Sequence, residues 1–300
     1  MRPPNARRPR NGFSLVEVLV VLGILALLMS LILPAVQRTR DAASRADCQN
    51  RLRQIGIAVH NYHDTYGRLP PKRYTSYLDR DPDNLLSWLA LILPQMDQLA
   101  LWAVSDAACR VNRLPYQNPP HVGYATVMKP YVCPSDARLL STMTTPKSGT
   151  AAFGSYVGVS GSFNKPGALG GEPGCRLIDI TDGTSTTLLA GERPPPASLQ
   201  VGRWYQSTWV LEHAGLPEGT MKATGVAKFV FDYECGGYPA SYGPGRLDNP
   251  CDRMHFWSFH TGGSNFVLCD GSVRYLPYTI SHQTLGALAT RSNGESVSLD

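Results

Sequence analysis

From Phe13 to Leu33 the chain runs 21 residues with a single charge, Glu17. As a helix rising ~1.5 Å per residue, that stretch is about 31 Å long, enough to cross the hydrocarbon core of a bilayer. After Pro34 the pattern changes. Cys48, Leu52, Ile55, Val59, Tyr62 and Tyr66 recur in steps of four and three, with Arg51, Arg53, Gln54 and Asn61 off the stripe. That spacing predicts an amphipathic helix with one buried face. The two patterns join into one long helix from about Phe13 to about Tyr66, its first half facing lipid and its second half a head domain. Pro34 is the expected kink, because an interior proline removes a hydrogen bond and crowds the preceding turn. Gly67 and Pro70-Pro71 are expected to end the helix.

Further on, the apolar run from Leu85 to Trp102 predicts a short buried helix interrupted at Pro94, and no unbroken stretch there is long enough for a second span. Beyond Gly149 the pattern is that of strands. Gly154–Ser160, Thr187–Ala190, Tyr205–Leu211, Val226–Tyr233 and Phe256–Phe259 are short runs bounded by Gly, Pro or Asp. The clearest hairpin is Phe266–Tyr275, with Asp270-Gly271 expected to form a two-residue I′ turn. Ser281 to Thr290 predicts a short helix capped by Ser281. The fold class is therefore α+β: a long N-terminal helix on an antiparallel, β-rich head. The expected divisions are a basic leader (1–12), a membrane-spanning helix (13–34), its amphipathic continuation (35–66) and the head (67–300).

Charge sets the orientation. Arg2, Arg7, Arg8 and Arg10 all precede the apolar run. They favour a cytoplasmic N-terminus and export of everything after Leu33. Without residues 1–12, the 28 basic residues fall to 24 against 23 acidic, so the formal charge drops from +5 to +1. A nearly neutral mature chain gives a nucleic-acid partner no global electrostatic support. Seven cysteines, at 48, 109, 133, 175, 235, 251 and 269, contain no CxxC pair. In an exported head disulfides are available. Cys235 and Cys251 flank a Gly/Pro/Tyr-rich loop and are one candidate pair. Cys48 and Cys133, which would tie the long helix to the head, are the other. Burial as small apolar residues is the competing account of these cysteines.

Arg10-Asn-Gly-Phe-Ser-Leu-Val-Glu followed by the apolar run resembles the prepilin signal of type IV pilins and type II secretion pseudopilins. The resemblance implies that a prepilin peptidase cuts between Gly12 and Phe13 and methylates the new N-terminus. It implies that Glu17 then pairs with the amine of a neighbouring subunit during assembly. Ser14 departs from the more usual threonine. An ordinary secretory signal has a shorter apolar core and small residues at its cleavage site, which this stretch lacks. Cys48–Pro71, Leu93–Gln98, Tyr131–Asp136, Asp179–Glu192 and His260–Leu276 together resemble a large pilin-like family expanded in planctomycete bacteria. Its hallmark is a histidine, nine residues, then Asp-Gly: here His260 and Asp270-Gly271.

Candidate chemistry in the head is sparse. His255, His260, Asp252 and Asp270 fall close together in sequence, and Asp179 and Asp182 lie in an oxygen-rich turn. His260, Asp270, Asp179 and Asp182 are the metal candidates, with calcium the ion to consider because it stabilises some pseudopilin heads. Neither stretch has the ligand alternation of a calcium loop, and two histidines five apart fit no standard zinc spacing. Turn chemistry alone accounts for Asp-Gly, so structural roles are preferred and no cofactor is expected. The GxSxG elbow of a hydrolase is absent. Trp204, Tyr205, Trp209, Phe256 and Trp257 would suit either a sheet core or a glycan- or protein-binding surface. The sequence thus points to a non-enzymatic pilin-like subunit, single-pass in the inner membrane, with its head in the periplasm or at the cell surface. Its expected partners are a prepilin peptidase, other pilin-like subunits and the membrane. The alternatives are an anchored ligand- or glycan-binding protein and an anchored hydrolase.

Overall fold

The computed structural model describes residues 15–71, 86–112, 114–117, 120–145, 149–162, 165–171, 173–206, 219–223, 242–295 and 297. Two compact units divide the chain, Met1–Ala43 and Ser44–Asp300. A single helix, α1 (Leu15–Tyr66), runs from the first into the second and stays helical through Pro34. Within the first unit its apolar side chains are exposed, from Leu15 to Val36. The helix is long and apolar enough to cross a membrane.

In the second unit, the stripe spaced by threes and fours is the buried face. Cys48, Leu52, Ile55 and Val59 are buried there, Tyr62 packs against the core, and Tyr66 is exposed but stacks on Tyr62. Each such aliphatic side chain contributes about 1.5–3 kcal/mol on full burial. Gly56 lies on the same face, where an added Cβ would come within 2.9 Å of Val267 Cγ2. The helix ends where expected: Gly67 takes a φ of +71° and its N–H donates to the His63 carbonyl.

Among the described residues, six strands form the main sheet: β3 (Tyr156–Ser162), β4 (Lys165–Pro166), β5 (Leu188–Glu192), β6 (Thr220–Lys222), β7 (Gly263–Leu268) and β8 (Val273–Pro277). The order is β4-β3-β5-β7-β8, all antiparallel, while β6 pairs with β3 in parallel. A separate hairpin joins β1 (Met143–Thr145) to β2 (Gly149–Ala151). The apolar run before Trp102 resolves into three pieces. Helix α2 (Trp88–Leu91) is capped by Ser87, a 3-10 turn (Leu93–Met96) carries Pro94 in its first positions, and α3 spans Leu99–Val111. Proline tolerates the start of a helix but not its interior, so Pro94 separates the pieces. Helix α4 (His282–Leu288) is capped by Ser281, whose hydroxyl accepts from the Thr284 N–H.

Two expectations are corrected. The turn at Asp270-Gly271 is not a two-residue I′ turn, which would need positive φ at both positions. The Gly271 N–H donates to the Leu268 carbonyl, Leu268 N–H donates to the Ser272 carbonyl, and only Gly271 has positive φ, +82°. That is a three-residue loop with a glycine bulge, which suits the twist of the β7–β8 hairpin. Phe256–Phe259 is not a strand. Its Trp257 N–H reaches the Glu192 carbonyl, but the Ser258 and His260 N–H groups donate to side-chain oxygens, of Tyr278 and Ser258. Side-chain acceptors thus take the place of a ladder. The run Val226–Tyr233 and most of Tyr205–Leu211 lie outside the described residues.

Candidate functional site

Glu17 stands exposed in the first turn of α1, among exposed Leu15, Val16, Val18 and Leu19. A carboxylate at a helix N-terminus is favoured by the helix dipole. Gly12 and Phe13, the expected cleavage pair, lie outside the described residues.

In the second unit the structure brings together four side chains that no local motif connects. Cys48 comes from α1. Cys133 follows a 3-10 turn (Lys129–Tyr131), its N–H held by the Ser155 hydroxyl at 2.9 Å. Glu192 ends β5, and His260 lies in the loop ahead of β7. Cys48 and Cys133 form a disulfide, with Cα atoms 5.4 Å apart. His260 Nε2 lies 3.3 Å from Glu192 Oε1 and 3.8 Å from Cys133 Sγ. One ligand atom from each residue falls within 4.8 Å of all the others, and all four residues are buried. Glu192 Oε2 accepts from the Asn265 N–H at 2.7 Å and from Asn265 Nδ2 at 3.0 Å. Asn265 Oδ1 accepts in turn from Gln49 Nε2.

The other candidates have structural partners. Asp270 is exposed, and its Oδ1 accepts from the Ser272 N–H two residues on. Asp179 accepts from the Arg176 backbone and guanidinium, and that guanidinium holds its carboxyl down to about 2. Asp182 accepts from the N–H groups of Asn293 and Gly294 and so ties down the C-terminal segment. His255 bridges the Asp252 carboxylate and the Phe256 carbonyl. His260 is therefore grouped with Glu192 and the cysteines, not with Asp270. Glu192, which no spacing singled out, is the member that sequence reasoning missed. Its one signal was a carboxylate at the end of an apolar strand.

Cys251 is disulfide-bonded, while Cys235, its expected partner, lies outside the described residues. Cys109, Cys175 and Cys269 are buried thiols. Of the two accounts of the aromatic residues, the core account holds for the described ones. Trp204, Tyr205, Phe256 and Trp257 are at most 2% exposed and belong to the interior, and Trp209 lies outside the described residues.

A family model described as a protein of unknown function, DUF1559, matches residues 37–283. A second, described as the prokaryotic N-terminal methylation motif, matches residues 7–33. Among curated proteins, the competence protein ComGC of Halalkalibacterium halodurans is 32% identical over 59 residues, 20% of this chain and 58% of that protein. The chain thus spans little more than half the length of that relative. No solved structure matches.

Proposed function

We propose that this chain, which belongs to the DUF1559 family of proteins of unknown function, works as a membrane-anchored, pilin-like structural subunit. A prepilin peptidase removes residues 1–12 and methylates Phe13. The first half of α1 holds the protein in the inner membrane, with the leader arginines on the cytoplasmic side and the head exported. Glu17 then offers a carboxylate to the amine of a neighbouring pilin-like subunit, within a filament of a secretion or pilus-like system. An unpaired charge in a low-dielectric setting is costly, so the pairing favours one register between packed helices. The reading is non-enzymatic.

One observation carries it: the methylation motif at 7–33 coincides with the apolar, exposed first half of α1, and Glu17 is the sole charge from Phe13 to Leu33. The test is mass spectrometry of the mature N-terminus. Protein beginning at an N-methylated Phe13 supports the proposal, as does accumulation of full-length chain in Gly12→Val, where a bulky side chain replaces the small one at the cut. An N-terminus at Met1, or a cut beyond Leu33, would overturn it.

A further inference from the structure

We propose that Cys48, Cys133, His260 and Glu192 form a redox-gated site for one zinc-class divalent cation, closed while the two sulfurs are bonded and open once they are reduced. A tetrahedral zinc ion takes sulfur at about 2.3 Å and nitrogen or oxygen at about 2.0–2.1 Å. Those bond lengths put a nitrogen–oxygen ligand pair about 3.3 Å apart and a sulfur–nitrogen pair about 3.6 Å apart. Here His260 Nε2 and Glu192 Oε1 are 3.3 Å apart, and Cys133 Sγ and His260 Nε2 are 3.8 Å apart. Two edges of the coordination tetrahedron already stand at ligating separations. The other edges from the sulfurs to His260 and Glu192 lie within 4.8 Å, and the sulfurs themselves must separate to about 3.8 Å. Side-chain rotation at Cys48 and Cys133 supplies that once the bond between them is broken.

The second observation concerns Glu192. Its Oε2 is pinned by Asn265, which Gln49 holds in turn. Its Oε1 is buried, faces His260 Nε2 at 3.3 Å and, among the described residues, accepts no well-aligned hydrogen bond. Buried carboxylate oxygens are ordinarily hydrogen-bonded. An acceptor left open, aimed at an imidazole and two sulfurs and steadied by an outer amide, is how supporting residues orient a metal ligand. Two thiolates, one imidazole and one carboxylate oxygen are a donor set for zinc. Calcium and magnesium prefer oxygen ligands throughout.

The exchange balances. A dithiol reductant gives two electrons and two protons to the Cys48–Cys133 bond, which breaks to two thiols as the reductant closes to its own disulfide. The cation then takes both sulfurs as thiolates, and their two protons pass to solvent. Processed and unprocessed chains carry the site alike, so it does not depend on the pilin-like reading.

The test uses the full chain in detergent, stripped with a chelator and divided between oxidised and phosphine-reduced samples. Zinc is measured by equilibrium dialysis, and cobalt(II) serves as the spectroscopic probe. Expected for the reduced chain are one zinc per chain and a thiolate-to-cobalt charge-transfer band. The oxidised chain binds at least about 100-fold more weakly and shows no band, because it lacks the thiolate ligands. In reduced chains, His260→Gln and Glu192→Gln each weaken cobalt binding about 10-fold or more, while Cys175→Ser and Asp270→Asn retain the wild-type spectrum. A reduced wild-type chain that binds no zinc overturns the proposal, as does equal binding in both redox states. So does a spectrum unchanged in both His260→Gln and Glu192→Gln. Phosphine also opens the Cys251 disulfide, so reduced Cys251→Ser is measured beside the wild type: it should keep the full band, and loss of the band there overturns the proposal.

Discussion

His121 shows how a single buried group couples the head to pH. Its Nε2 lies 2.7 Å from the Asn112 carbonyl, so Nε2 carries the hydrogen and donates. Nδ1 is left facing the Tyr205 hydroxyl at 3.3 Å and Cys109 Sγ at 3.8 Å. Burial pushes its pKa below the ordinary 6.5, and the bond to Asn112 opposes that only in part. As pH falls through 6.5, the unfolded chain binds a proton that the folded head resists. Stability is therefore lost between 6.5 and the lower folded value, and nothing is lost above 6.5. Urea midpoints of the full chain at pH 7.5 and 5.5 should show a smaller acid-side drop in His121→Gln than in wild type. At the hairpin, Gly271 has φ +82°, and a Cβ there would meet only ordinary contacts at 3.7 Å, so the penalty of substitution lies in the backbone. Gly271→Val should cost about 2 kcal/mol by thermal unfolding. Asp270→Asn should stay within about 0.5 kcal/mol, because an amide oxygen can accept from the Ser272 N–H equally well.

At the level of elements, the second half of α1 is held to the head in two ways. One is the burial of Leu52, Ile55 and Val59 with the close approach at Gly56. The other is the Cys48–Cys133 bond across a sequence separation of 85. Closing a loop of that length removes about 4.5 kcal/mol of unfolded-state entropy in the chain-entropy account. The double variant Cys48→Ser/Cys133→Ser should lower unfolding stability by roughly 2–4 kcal/mol, read from urea midpoints without reductant. A change below about 1 kcal/mol would mean that packing alone fixes the helix. The aromatic run Phe256–Phe259 carries another lesson at this scale. Its residues are strand formers, but after the Trp257 N–H pairs with the Glu192 carbonyl, the Ser258 N–H goes to Tyr278 Oη and the next-but-one N–H, of His260, to Ser258 Oγ, so propensity yields to specific side-chain acceptors.

For the molecule as a whole, the two units treat their apolar residues differently. Met1–Ala43 exposes the apolar residues of α1, while Ser44–Asp300 buries a core of its own. Glu17 is the test of what the first unit is for. Glu17→Ala removes the sole charge from Phe13 to Leu33, so membrane insertion should persist or strengthen. Crosslinked or sheared assemblies containing the variant should fall at least several-fold relative to wild type. Assembly at the wild-type level would exclude the amine–carboxylate pairing.

The apolar span, the stripe from Cys48 to Val59, the Ser281 cap and the β7–β8 hairpin could all be read from the chain. Each depends on residues within a turn or two of one another, where periodicity and capping act directly. The turn at Asp270-Gly271 was legible as a turn but not in its type. Both loop forms use a glycine with positive φ, and strand register decides between them. The grouping of Cys48, Cys133, Glu192 and His260 was beyond reach of spacing, because its members come from a helix, a turn, a strand end and a loop. His260 and Asp270 looked like partners because they are ten residues apart. The β7–β8 hairpin instead carries Asp270 to an exposed turn, while His260 stays at the buried approach to β7. Local sequence determined which segments would be helix or hairpin, since those choices rest on neighbouring backbone and side-chain energetics. Only the tertiary structure decided which distant polar groups would share a buried site, because that depends on sheet order and on where α1 crosses it.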